Sequence, residues 1–208
     1  MLSPAVFPEF FAAAPTIRLR DPLADFLGAS ADGILEYGYA DVVRLAGHSC
    51  PTVASAFLMA RAALSALFPG TVPERGAVRV AMPQPAEEGV SGVMGNVISF
   101  VTGAAGEGGF HGIGGRFDRR ELLSYGAPDL AGQVRFTRTD NQAAVGVQAR
   151  AERVPGDPRI RELISRCMTG AATPEESRLF RTLWQDRVRR LLTEHADDPE
   201  VIVVTPQG

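Results

Sequence analysis

The chain has three histidines and two cysteines, yet His48 and Cys50 stand two residues apart in "GHSCP", residues 47–51, where an alanine-rich apolar run begins. Proline is favoured in the first turn of a helix, where its missing amide proton is not needed. Pro51 therefore places Cys50 at or near the N-cap of a helix over 51–68. A thiol there meets unsatisfied amide protons and the positive end of the helix dipole, both of which favour the thiolate. Thiolate is the form that attacks electrophiles and binds metals. His48 lies in the preceding loop and can fold its ring toward the same point. A thiolate and a neutral imidazole are donors suited to zinc, copper, nickel or iron. The same two groups also make a nucleophile and its base. The plainer alternative is a small hydrophobic cysteine before a buried helix, with a solvated turn histidine.

His111 is the next candidate. The glycines of "GGFHGIGG" let the backbone turn sharply or approach a ligand closely. His111 is expected as a third metal ligand, or as a ring that lines a cofactor pocket with the backbone at Gly112. Arg116, beside the same loop, can pair with an anion, and Glu88 can supply a carboxylate. The glycine spacing is not a dinucleotide fingerprint, because the loop does not directly follow a strand. Asp140 and Asn141 read as turn residues, His195 as a C-terminal helix cap and Cys167 as structural. Arg119 and Arg120 after Asp118 read as a solvated helix start.

These residues need elements to position them. Helix 51–68 is apolar nearly all round and must be central and buried. A short β-branched strand follows at 77–82, then a glycine-punctuated helix over 89–103. "QVRFTRTD" and "AAVGVQARAE" alternate as an antiparallel hairpin around Asp140 and Asn141. Residues 1–47 read as short helices and loops anchored by Phe7, Phe10 and Phe11. "PGDP" at 155–158 marks a boundary, giving a core domain over 1–157 and a helical arm over 158–208. That arm holds helices near 159–168 and 174–195, the second opened by Thr173, Pro174 and Glu176 as a capping box. "EVIVVTP" ends the chain as a strand or a docking tail. The expected class is α+β, a mainly antiparallel sheet packed on the central helix. A helix with so little polar surface, and an arm with an apolar stripe, predict a homodimer.

Bulk properties exclude several functions. All 21 basic residues are arginine, which removes lysine Schiff bases, P-loop lysines and lysine general bases. A net charge of −3 gives no general attraction for nucleic acid or an anionic membrane. Two cysteines make neither a disulfide framework nor a four-cysteine zinc ribbon. The N-terminus lacks a basic n-region and no apolar stretch is long enough to span a bilayer, so a cytoplasmic location is expected.

"GHSCP" followed by an alanine-rich helix with Arg61 resembles the signature of the FmdE family of formylmethanofuran dehydrogenase components. The resemblance continues through "AVRVAM", "EEGVSGVMGNV" and "SRCMTGAATPEESRLFRTLWQDRV", and covers roughly residues 35–192. It implies an α+β core with a histidine, a cysteine and a proline at the start of the central helix. It also implies a metal or cofactor at that point, and association with a redox-enzyme partner. Two departures stand out. Glu87, Glu88 and Ser91 occupy the stretch where many members carry a cysteine or aspartate, and no C-terminal zinc finger is present. The expected site is therefore Cys50 and His48 on one transition metal, zinc foremost, with His111 as a further ligand. The rivals are a thiol-dependent enzyme with Cys50 as nucleophile and His48 as base, and a non-catalytic assembly component of a redox enzyme.

Overall fold

The computed structural model describes residues 7–128, 130 and 132–207. Its centre is α4, Pro51–Leu67, whose buried residues Val53, Ala54, Phe57, Leu58, Met59, Ala63 and Leu64 point in every direction around the axis. Apart from a face at Arg61, Ala62, Ser65 and Ala66, the helix is covered by the same chain. Helices α3, Tyr39–Ala46, α5, Ser91–Thr102, and α7, Pro174–Thr193, pack on it. So do strands β6, Ala144–Ala149, and β7, Ile202–Gln207.

The main sheet has five strands in the order β4–β3–β5–β6–β7. Strands β3, Val78–Ala81, and β5, Val134–Arg138, run antiparallel, as do β5–β6 and β6–β7. Only β4, Leu123–Ser124, lies parallel to its neighbour β3. The class is α+β, as the sequence predicts. The β5–β6 turn uses Asp140 to hold Arg138 and the Asn141 side chain to accept from the Ala143 amide at 3.0 Å.

The N-terminal region is more regular than expected. Alternation in "IRLR" makes β1, Ile17–Arg20, with Ile17 and Leu19 buried, and it pairs antiparallel with β2, Ile34–Tyr37. Before it, the short α1, Phe10–Ala13, anchors on Tyr39: Phe11 packs edge-on at 4.9 Å and Phe7 stacks on Phe11 at 5.4 Å.

Residues 158–208, expected as an arm, share the common core. After α6, Ile160–Met168, helix α7 buries Val188, Leu191 and Leu192, and β7 completes the sheet edge on β6. The capping box forms as read: Thr173 Oγ1 accepts from the Glu176 amide at 3.2 Å, and Glu176 Oε2 from the Thr173 amide at 2.8 Å. Among the described residues, no helix is long and apolar enough to cross a membrane.

A buried charge cluster joins the small sheet to the rest. Asp21 caps α2, Pro22–Phe26, by accepting from the Leu23 amide at 2.8 Å. The same carboxylate pairs with Arg75 at 2.9 Å and Arg119 at 2.9 Å. Arg75 also reaches Phe100 O at 2.9 Å and Val101 O at 3.2 Å, closing the end of α5. Arg119 crosses Gly76, where φ is +89° and an added Cβ would lie 1.3 Å from a guanidinium nitrogen. So Arg119 is a buried strut rather than the start of a solvated helix. The neighbouring Asp118 and Arg120 do stay at the surface and pair with each other at 2.6 Å.

Burial acts to raise the Asp21 carboxyl, but the Arg75 hydrogen bond and the Arg119 charge outweigh it and hold the group below its ordinary range. A depressed carboxylate stabilises the fold above its unfolded-chain value, about 3.9, and that contribution disappears as pH falls through the folded value. Asp21→Ala strands two guanidiniums and should cost about 3–5 kcal/mol in urea unfolding at neutral pH. The gap between wild type and variant should close on acidification below about pH 4. A gap that is constant down to acid would remove the electrostatic account.

Candidate functional site

"GHSCP" forms a tight corner between two helices. Gly47 takes φ +73°, a left-handed conformation suited to glycine, and its amide bonds Val43 O at 2.9 Å, ending α3. The chain then extends until Cys50, with φ −150° and ψ 166°, N-caps α4, and Pro51 fills the first helical position. The helix start expected from Pro51 is the one observed.

The corner aims both side chains at one point. His48 Nδ1 lies 2.9 Å from Ala46 O, one of the carbonyls left without an intrahelical partner at the end of α3. A carbonyl only accepts, so Nδ1 carries the proton and, in the neutral ring, Nε2 carries the lone pair. That Nε2 stands 3.4 Å from Cys50 Sγ. The Val53 amide donates to the same sulfur at 3.4 Å. Sulfur therefore sits between an imidazole nitrogen and a first-turn amide. Cys50 is half-buried and His48 exposed, so the pair is reachable from solvent.

Ser49, between them, is held from three sides. Its carbonyl accepts from Trp184 Nε1 at 3.0 Å and Gln185 Nε2 at 3.2 Å. Its hydroxyl donates to Gln185 Oε1 at 2.9 Å, which leaves it to accept from the Tyr39 hydroxyl at 3.1 Å. Burial raises Tyr39 above its ordinary value against the opposing hydrogen bond to Ser49, so this hydroxyl stays a donor at neutral pH. Sequence reasoning missed Tyr39, Ser49, Trp184 and Gln185 as supports. The one signal for them was the chain's single tryptophan, a large ring with one donor, set in an arginine-rich helix.

Two cavities adjoin the corner. One of about 420 Å3 is lined by Pro51, Asp157, Ile160, Arg161, Trp184 and Arg187. Another of about 320 Å3 is apolar, walled by Phe7, Phe11, Val43 and Phe180, with Ser49 and Trp184 at its side.

The other expected site residues lie elsewhere. Among the described residues, no group of three or more His, Cys, Asp or Glu side chains can hold a metal ion, so His111 does not join Cys50 and His48. Its loop is folded on itself: Arg119 N bonds Phe110 O at 2.8 Å, and Ile113 and Arg116 exchange backbone bonds. His111 is exposed, with its ring edge-on to the Phe110 ring at 5.7 Å. Gly112 is buried at φ +84°, where an added Cβ would lie 2.2 Å from Arg116 O; the turn itself requires a glycine. Glu88 is exposed in the turn before α5, which starts at Ser91 because Gly89 takes a left-handed φ of +57°. Arg116 lies over the Phe117 ring at 4.7 Å, at a separate cavity. Cys167, in α6, lies 3.9 Å from the Ser177 hydroxyl, and both cysteines are free. His195 pairs with Asp198 at 2.9 Å beyond the end of α7 rather than capping its carbonyls by its ring.

No protein-family model matches this chain, and no curated protein matches it either.

Proposed function

We propose that the chain is a thiol-dependent enzyme in which Cys50 is the nucleophile and His48 its base. The observation that carries this reading is the Nε2–Sγ approach of 3.4 Å with Nδ1 committed to Ala46 O. His48 Nε2 takes the thiol proton, and the sulfur electron pair then forms a bond to an electrophilic substrate atom. The developing imidazolium keeps its Nδ1 hydrogen bond, so the ring need not reorient during transfer. Among the described residues the Thr52 amide, in the first turn of α4, has no acceptor, and it is available to an oxygen that gains charge beside the sulfur. The cavity beside Pro51 offers room for a small substrate. Arg161, exposed on its wall, has no hydrogen-bond or ion-pair partner among the described residues.

A second reading keeps the metal. Two ligands with bonds of about 2.3 and 2.0 Å on one tetrahedral ion stand about 3.5 Å apart, close to the observed 3.4 Å. A backbone carbonyl on the far ring nitrogen is also how metal-bound histidines are oriented. Cys50 and His48 would hold zinc or a similar ion, which would supply Lewis-acid chemistry; the remaining ligands would come from outside the described donors. This is the reading favoured by the resemblance to the FmdE family. The lack of a third donor among the described residues ranks it second.

Site-resolved iodoacetamide labelling separates the two readings, with Cys167 as an internal control of similar burial. Metal-free protein should label at Cys50 about tenfold faster than at Cys167, and His48→Ala should abolish most of that excess. Equal rates at the two cysteines, or a Cys50 rate indifferent to His48→Ala, would sink the thiol reading. One equivalent of zinc in purified protein, lost with Cys50→Ala, would instead establish the metal. Labelling at Cys50 should also change Trp184 emission, because its indole N–H is held by the adjacent Ser49 carbonyl. Labelling at Cys167 should leave that emission unchanged.

A further inference from the structure

A cavity of about 640 Å3 lies where the β1–α2 corner, the turn at Glu74–Gly76 and the segment Arg116–Arg119 meet. Its size falls in the range of small-molecule sites. It lies outside the residues of the thiol centre. Charge on its walls is incompletely matched. Arg20 pairs with Asp25 at 2.5 Å, and Asp118 pairs with Arg120 at 2.6 Å. Arg75 and Arg119 share the single carboxylate of Asp21, so that cluster retains one positive charge. The Arg119 side chain is only 9% exposed, and its Nε has no hydrogen-bond partner among the described residues. A buried donor without a partner and a buried charge in excess are both costly, and a nearby anion relieves them. Burial and the Arg75 charge together push the Arg119 guanidinium below its ordinary value, despite the attraction of Asp21. Arg116 is exposed and makes no ion pair among the described residues. Glu74, exposed on the wall, attracts Arg119 and offsets part of that charge, which leaves Arg116 as the unmatched cation.

The remaining wall is aromatic. Phe26 is 59% exposed, and its ring lies 5.4 Å from that of Phe117. Phe117 holds a left-handed φ of +64°, a costly conformation for a bulky residue, and in it the ring lies near both the Phe26 ring and the Arg116 guanidinium. The exposed Phe26 ring, the half-buried Phe117 ring and a guanidinium without an ion pair at one cavity are groups that hold a flat ring and an anion together.

We propose that this cavity binds a small molecule with a planar aromatic ring and a phosphate or carboxylate, the ring against Phe26 and Phe117 and the anion on Arg116 over the Arg75–Arg119 cluster. The site stands independently of the chemistry at Cys50. Calorimetric titration of the full chain with adenosine monophosphate and with phenylpyruvate tests it, with inorganic phosphate as a ring-free probe. At least one ring-bearing probe should saturate at millimolar concentration or below; which one does so separates a phosphate from a carboxylate source. Arg116→Ala should weaken that binding by about tenfold or more. Phe117→Gly, which suits the left-handed backbone, should weaken it similarly while leaving thermal unfolding intact. Cys50→Ser should bind like wild type. No saturation by either probe would overturn the proposal, as would equal affinity for inorganic phosphate. Binding unaffected by Arg116→Ala and Phe117→Gly, or abolished by Cys50→Ser, would do so too.

Discussion

Helix α4 has almost no polar surface, and water must be kept from most of its circumference rather than from one face. The cover comes from α3, α5, α7, β6 and β7, elements drawn from widely separated parts of the chain. Two of these elements also bring polar groups to one end of α4. At the N-terminal end, α7 delivers Trp184 and Gln185 to the Ser49 carbonyl, and α3 delivers Tyr39 and the Ala46 carbonyl. The positions of His48 and Cys50 are thus set by burial of a helix that neither residue belongs to. A change that loosens α7 would be felt at the sulfur before it was felt in the core.

Arginine does a second kind of positioning here. With no lysine in the chain, every cation is a planar fork able to meet two acceptors at once. Arg75 spans Phe100 O and Val101 O at the end of α5, and Arg187 spans Val154 O and Ala151 O. Arg138 takes Leu67 O at the end of α4 while pairing with Asp140. These carbonyls sit where helices and turns stop, and Ala151 O also accepts from the Val154 amide at 3.1 Å. A lysine ammonium would satisfy one such carbonyl as a point charge and would not bridge two with a fixed geometry. The Arg116 and Arg161 side chains, which have no hydrogen-bond or ion-pair partner among the described residues, each line a cavity.

What could be read from the sequence followed the range of the interaction. Pro51 after Cys50, the alternation in "QVRFTRTD" and the box at Thr173 are local signals, and the structure places all three as read. Register between β1 and β2, by contrast, depends on two four-residue strands separated by a short helix and a turn, too little periodicity to find. Arg119 looked solvated because its neighbours Asp118 and Arg120 are; its partner Asp21 lies nearly a hundred positions earlier. His111 failed as a ligand for the same reason. Whether a glycine-rich loop reaches a helix start is decided by where its ends are pinned, and Ala105, Phe110 and Arg119 pin this one to itself.

That distinction also bears on the chemistry at Cys50. The Ala46 carbonyl on His48 Nδ1 presents the same lone pair whether a proton or a metal ion will occupy it. Spacing between sulfur and nitrogen serves both uses equally. The discriminating quantity is the number of further donors, and donors arrive by tertiary folding, not by the two-residue spacing in "GHSCP". With two protein donors among the described residues and a cavity at the adjoining Pro51, the corner fits the nucleophile and base that we propose. A third donor delivered by another molecule would convert the same geometry into a metal centre without moving either side chain.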